Sequence, residues 1–283
     1  MTCLVMHQSF ESFAASMGLV STSYICDGRI HRCRTENNHR SMNGAYLYNG
    51  IWGFVQDWSK HVEPVYWKSD KIIDDADFKR RVEESKRKYL QERSKLNSDA
   101  CKKADEIIGQ CSLNLSPYLA RKGFPESDGL VFTKNDLVYT VVPMRIDKQI
   151  VGCQIIDPGG EKRFIYGQKT RGAYHQIGNG KNVFLVEGYA SGLSLQSILS
   201  ALKINYSIIV CFSANNLLLL SKKWSDCFVV ADNDKSGTGE KVAKESGKKY
   251  YMSPIVGNDI NDDHIQLGLF KCMMNFRKWF YER

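Results

Sequence analysis

Two aspartates two residues apart, Asp232 and Asp234, close the apolar run Cys227-Phe228-Val229-Val230-Ala231. A near-continuous hydrophobic run of this length reads as a buried strand of a parallel sheet, and such sheets bind ligands at their strands' carboxyl ends. In an extended chain residues i and i+2 point the same way, so the spacing predicts two carboxylates facing one ion. A second run, Val183-Phe184-Leu185-Val186, ends on Glu187-Gly188, and a third acidic segment carries Asp259, Asp262 and Asp263. Carboxylates gathered in this way repel one another unless a divalent cation lies among them. The expected chemistry is phosphoryl transfer with Mg²⁺ or Mn²⁺ held at a sheet edge.

The elements that must position these residues follow an alternating pattern. Strands are expected at 183–187, 207–213, 227–232 and 249–253, and helices at about 190–202, 215–223, 238–247 and 262–274. Strands and helices alternating at this length imply a parallel sheet with right-handed crossovers. Upstream, 137–142 and 149–156 are strand-like and separated by turn signals. The cations Lys162, Arg163, Lys169 and Arg171 lie between them and the acidic strands, with Gly167 and Gly172 able to let the backbone approach a ligand. A solvated loop would explain these cations, but their place beside the acidic strands favours contacts to phosphates.

Residues 74–111 carry acids at the start, mixed charge throughout and no proline, which suits a solvated helix. Its apolar positions (Phe78, Val82, Tyr89, Leu96, Ala100) make only a thin stripe, so it reads as a connector rather than a core element. Residues 1–68 hold three turn signals, Asp27-Gly28, Asn43-Gly44 and Asn49-Gly50, between short aromatic and β-branched runs, as a small β-rich module would. The basic-aromatic end, with Lys271, Arg277, Lys278 and Arg283 among Phe276, Trp279, Phe280 and Tyr281, could stack on single strands. Core packing is the favoured account of its aromatics.

The 283 residues allow two domains, and 43% hydrophobic with 25% charged residues is the balance of an ordinary soluble globular protein. No apolar run reaches transmembrane length and no secretory signal is evident, so no membrane partner is expected. Nine cysteines without a CxxC pair fit a reducing, cytoplasmic setting. Cys26, His31 and Cys33 would supply only three zinc ligands, so zinc is not expected and buried or turn cysteines are the better account. A net charge of +8 suits a polyanionic partner. No Gly-x-x-x-x-Gly-Lys-Ser/Thr loop is present, so no P-loop helicase is fused to this chain.

Together these motifs resemble the toprim domain shared by bacterial and phage primases, topoisomerases and some nucleases. The matching residues are Leu185-Val186-Glu187-Gly188 and Val229-Val230-Ala231-Asp232-Asn233-Asp234-Lys235-Ser236-Gly237, with Gly257-Asn258-Asp259-Ile260-Asn261-Asp262 similar to a further acidic segment of phage and plasmid primases. Val142-Pro143-Met144, Gly152-Cys153-Gln154-Ile155, Gly160 to Phe164 and Gly167 to Ala173 resemble the basic subdomain before toprim in primases. Asp27 to Arg32 and Gly53 to Trp58 resemble the amino-terminal module of the plasmid and phage type.

The resemblance implies an α/β chain. A β-rich module (1–70) and a charged helical connector (71–112) would precede a basic α+β subdomain (113–180) and a toprim domain (181–283) with a four-stranded parallel sheet flanked by helices. It implies a DNA primase that makes short RNA primers on a single-stranded DNA template from ribonucleoside triphosphates, using two Mg²⁺ or Mn²⁺ ions. Asp232 and Asp234, with Asp259 or Asp262, would hold the ions. Glu187 would act as general base or ligand, and Lys162, Arg163, Lys169 and Arg171 would bind triphosphate and template. A separate replicative helicase would be the partner, in the cytoplasm of a bacterial cell hosting a phage or plasmid. A toprim nuclease and a non-catalytic accessory protein binding DNA and a helicase are the alternatives. A topoisomerase is disfavoured, since the chain is too short for the domains that supply its tyrosine.

Overall fold

The computed structural model describes residues 9–37, 39, 42–57, 64–69 and 75–282. Trp58 and Arg283, named above, and residue 74 lie outside the described residues, as do the side chains of Phe78 and Val82. The protein is mixed α/β, with three five-stranded sheets among the described residues, and divides into two compact units, Met1–Ser94 and Lys95–Arg283. No helix among the described residues is long and apolar enough to cross a membrane.

In the first unit, helix α1 (Phe10–Ser16) precedes an antiparallel meander of β1 (Leu19–Val20), β2 (Ile30–Thr35), β3 (Gly44–Tyr48), β4 (Trp52–Asp57) and β5 (Val65–Lys68). The Ser9 hydroxyl caps α1 by accepting from Ser12 N. Phe10 is fully buried, stacked on Tyr48 at 4.4 Å and met edge-on by Tyr24 and Trp67. Of the zinc candidates, Cys33 is buried in this core, Cys26 is exposed and His31 Nε2 lies 2.9 Å from Asp27 Oδ1.

Helix α2 (Asp75–Gly109) runs across the boundary between the units. Its last turns are core, unlike the connector expected. Ala100 and Ala104 are buried with Val141, Cys153 and Ile165, and Ile107 and Ile108 pack against them. Alanine contributes little to an apolar count yet lets a helix lie close to a sheet, which is why the stripe looked thin. The sheet beneath it joins β6 (Ser112–Leu115), β7 (Asp128–Lys134), β8 (Leu137–Ile146), β9 (Gln149–Ile156) and β10 (Lys162–Phe164) as an antiparallel meander, with α3 (Pro117–Arg121) between β6 and β7.

The third sheet contains β11 (His175–Gly178), β12 (Asn182–Val186), β13 (Tyr206–Val210), β14 (Cys227–Ala231) and β15 (Tyr250–Met252), in the order β11-β13-β12-β14-β15. The four strands β12 to β15 are parallel, each within a few residues of its expected span. The sheet is nevertheless five-stranded and mixed. β11, from residues assigned to the preceding subdomain, pairs antiparallel with β13 and covers an edge that would otherwise present unpaired backbone groups. Arg145 and Tyr174 exchange two backbone hydrogen bonds (2.8 and 2.9 Å) and couple β8 to this sheet.

Helices cover both faces, as buried parallel strands require. α4 (Tyr189–Ala201) and α7 (Ile260–Tyr281) enclose a core built on Phe184, Val186, Ile208, Val210 and Val230. α5 (Ala214–Ser221) and α6 (Thr238–Ser246) enclose the opposite one, on Leu185, Ile209 and Val229. The helix expected at about 262–274 and the basic-aromatic end after it are one element, broken at Gly268 (φ 76°, ψ 159°). Phe276 is fully buried, and Trp279 and Phe280 pack with it on Phe184, Phe228 and Tyr251, so these aromatics serve the core.

Candidate functional site

Glu187 directly follows β12, Asp232 directly follows β14, and Asp259 starts α7 after β15, so one sheet edge brings three acidic segments together. Burial raises the Glu187 carboxyl, an effect countered by Lys162 and reinforced by Asp234 and Asp259. Asp232 is pushed up to about 7, first by burial, then by repulsion from Asp259 and Glu187, with Lys162 opposing. A cavity of about 10 Å³, lined mostly by apolar side chains such as Leu217, Val229 and Val242 and bordered by Glu187, Asp232 and Gly239, lies under this edge. Gly239 is required there: a Cβ at this position would stand 2.1 Å from the Asp232 carbonyl oxygen.

Asp234 is engaged differently from its expected role. β14 ends at Ala231, so the alternation that would aim residues 232 and 234 alike stops before either. The Asp234 carboxylate turns into its own loop. It accepts from Ser236 N (2.8 Å), the Ser236 hydroxyl, Thr238 N (3.3 Å) and Gly239 N (2.8 Å), and these bonds hold its carboxyl below the usual range. Its charge still reaches Asp232 and Glu187.

The third acidic segment is also a helix start. Asp259 Oδ1 accepts from Asn261 N (2.7 Å) and Asp262 N (2.8 Å), while Asp262 Oδ2 accepts from Asp259 N (3.2 Å), a reciprocal capping box. Asp259 Oδ2 accepts from Ser191 Oγ in the first turn of α4 (3.1 Å), which ties this cap to the segment after Glu187. Asp262 is thereby committed to the cap. Asp263 is buried and accepts from Ser253 Oγ (2.8 Å) and Asn258 Nδ2 (2.9 Å).

The four cations separate into distinct surroundings. Lys162 reaches the carboxylates: its Nζ lies 3.9 Å from where a Cβ on Gly188 would stand, and its charge is felt by both Glu187 and Asp232. Phe164, two residues along β10, meets Phe212 edge-on at 6.3 Å and seats this strand over the sheet edge. Arg163 alternates away and forms a two-point pair with Glu161 (2.9 and 3.0 Å). Lys169 acts on Asp147, which also pairs with Lys223 at 2.7 Å, and Arg171 is exposed in the same loop. That loop is held by Asn216, which accepts from Gly172 N and donates to the carbonyls of Ala173 and Cys211 (each 2.7 Å).

Two side chains at the site escaped the sequence reading. Ser191, four residues after Glu187, could have been found as a first-turn hydroxyl on α4. Tyr118 had no such signal: its residue type and the Ser116-Pro117 helix start mark only a helix. The Tyr118 hydroxyl is buried without a hydrogen-bond partner, and burial together with Asp259 pushes it up to about 12.

The donor set suits a hard cation. It offers carboxylate oxygens from three segments, two of them raised by burial and mutual repulsion. Among the described residues no three His, Cys, Asp or Glu side chains close on one point as they stand. No protein-family model, curated protein or solved structure matches the chain.

Proposed function

We propose that this chain is a toprim-type DNA primase, making short RNA primers on single-stranded DNA by metal-assisted nucleotidyl transfer. The observation that carries the reading is the convergence of Glu187, Asp232 and Asp259 at one sheet edge, with Asp232 pushed up to about 7 and Lys162 facing the group. Glu187, Asp232 and Asp259 would hold the first Mg²⁺ or Mn²⁺, and Asp234 would join a second ion on release from its loop bonds. The ions would supply Lewis-acid charge for the attacking 3′-hydroxyl and the departing pyrophosphate. If Glu187 serves as base and not as ligand, its carboxylate would accept the proton of that hydroxyl, a role its raised affinity for a proton suits. Lys162 Nζ would bind a triphosphate oxygen, holding the incoming nucleotide over the sheet edge. Lys169 and Arg171, in the loop after β10, are assigned to the template backbone, and Arg163 to a peripheral contact that must exchange its Glu161 partner for phosphate. A helicase acting from a separate chain is the expected partner, in a bacterial cytoplasm.

Incubating the full chain with single-stranded DNA, labelled ribonucleotides and Mg²⁺ or Mn²⁺, and resolving products by size, tests the reading. Labelled oligonucleotides that disappear with Asp232→Asn support it. Shortened DNA without labelled product would make the protein a nuclease, and DNA binding with neither product would make it a replication accessory.

A further inference from the structure

Asn233 separates the two aspartates and commits both its backbone groups and its side chain to one segment. Its N–H donates to Asn258 O (3.0 Å), its carbonyl accepts from Gly257 N (2.6 Å), and its Nδ2 donates to Ser253 O (2.9 Å). The same segment is fastened to α7. Ser253 Oγ and Asn258 Nδ2 both donate to Oδ1 of buried Asp263 (2.8 and 2.9 Å), and Asn258 Nδ2 also approaches Gln266 Oε1 (3.1 Å). Asp259 follows Asn258 directly. The chain from Asp232 to Asp259 is therefore closed by a continuous brace, against the repulsion that would drive the two carboxylates apart.

We propose that Asn233 is the positioning residue that sets the separation of Asp232 and Asp259 for a divalent cation, and that Asp263 belongs to this brace and not to the ligand set. The inference rests on the cation site proposed above. A buried carboxylate with one oxygen receiving two side-chain donors is a structural acceptor, and polar groups behind metal ligands fix their orientation.

The test measures Mn²⁺ uptake by the full chain, using the electron paramagnetic resonance signal of free Mn²⁺, alongside thermal unfolding in EDTA. Asn233→Ala should weaken Mn²⁺ affinity about tenfold while unfolding in EDTA stays a single transition. In an Asp259→Asn background, where asparagine keeps the helix cap, the same change should alter affinity by less than about twofold, because the carboxylate being positioned is gone. Unchanged affinity in Asn233→Ala, or an equal loss in both backgrounds, would overturn the proposal. If Asn233→Ala does not fold, Asn258→Ala cuts the same brace at its other end and carries the same expectation. Asp263→Asn, which keeps the Oδ1 acceptor, should stay within about twofold of wild type; loss of Mn²⁺ binding there would make Asp263 a ligand and also overturn it. Wild-type protein that takes up no Mn²⁺ at all is the separate failure of the cation-site reading, and it removes this inference as well.

Discussion

Asp232 and Asp234 stand two residues apart, yet their surroundings push their proton affinities in opposite directions. For Asp232 the folded value, about 7, lies above the ordinary 3.8. Between those values the folded state holds more protons than the unfolded state. The stability contributed by its protonated carboxyl is thus complete below pH 3.8 and is lost as pH rises through 7. The change is on the order of 4 kcal/mol. In metal-free buffer at about pH 8, Asp232→Asn should raise the melting temperature by several degrees, at about 2–4 °C per kcal/mol. Glu187→Gln should act in the same direction. Asp234→Asn should lower it, because a neutral amide is a poorer acceptor for the four donors of its loop. Differential scanning calorimetry decides between them, and a gain for Asp234→Asn with none for Asp232→Asn would reverse the assignment. Gly239→Ala should cost about 1–3 kcal/mol by overpacking, since its Cβ would collide with the Asp232 carbonyl, and urea unfolding measures it.

At the scale of elements, β10 and β11 carry the preceding region onto the sheet. β10 presents Lys162 to the carboxylates and Arg163 away from them. Lys162→Ala should therefore lower the slope of log affinity for a ribonucleoside triphosphate against log salt, the loss of one phosphate contact, while Arg163→Ala should leave it nearer wild type. Equal slopes for the two variants would show that the alternation of β10 does not sort its cations. β11 carries His175, whose Nδ1 donates to Pro143 O (3.1 Å) and whose ring meets Tyr189 edge-on. Burial lowers it to about 4, so the stability it contributes is present above its ordinary 6.5 and is lost as pH falls through 4. Its slope opposes that of Asp232 across the same window, and the difference between variant and wild type isolates it. His175→Gln should flatten the acid side of the stability curve between about pH 6.5 and 4, whereas an unchanged acid side would place the ring in water.

At the scale of the whole molecule, the boundary between Ser94 and Lys95 falls inside α2, not at the end of a loop. The helix after that point supplies Ala100, Ala104, Ile107 and Ile108 to the core over β8 and β9. Residues 95–283 should therefore fold alone with a cooperative thermal transition. A chain beginning at 113 should be insoluble or molten, having lost that layer. Circular dichroism and gel filtration of the two truncations test this, and cooperative folding of 113–283 would return α2 to the role of a connector. A folded 95–283 also gives access to the role of residues 1–68. Full-rate, equally selective initiation without them would exclude the part in template choice that the resemblance to phage and plasmid primases implies for this module.

The parallel strands, the helices between them and the acidic segments at their ends were legible in the sequence. Hydrophobic runs of strand length, rich in β-branched residues and bounded by polar turns, favour buried strands over buried helices. Glu187 and Asp232 could be nominated because each directly follows such a run. What each acidic residue does was decided by tertiary contacts that residue spacing does not encode. Asp234 met four donors from its own loop, Asp262 completed a helix cap, and Asp263 became a buried acceptor. The fifth strand was hidden because β11 owes its existence to the open edge of β13, a partner distant in sequence. The core role of Ala100 and Ala104 was hidden because small residues matter through how closely they let elements approach, not through their own hydrophobicity. Local pattern determined where charge would gather; only the packed chain decided which of those charges face one another and which serve the backbone.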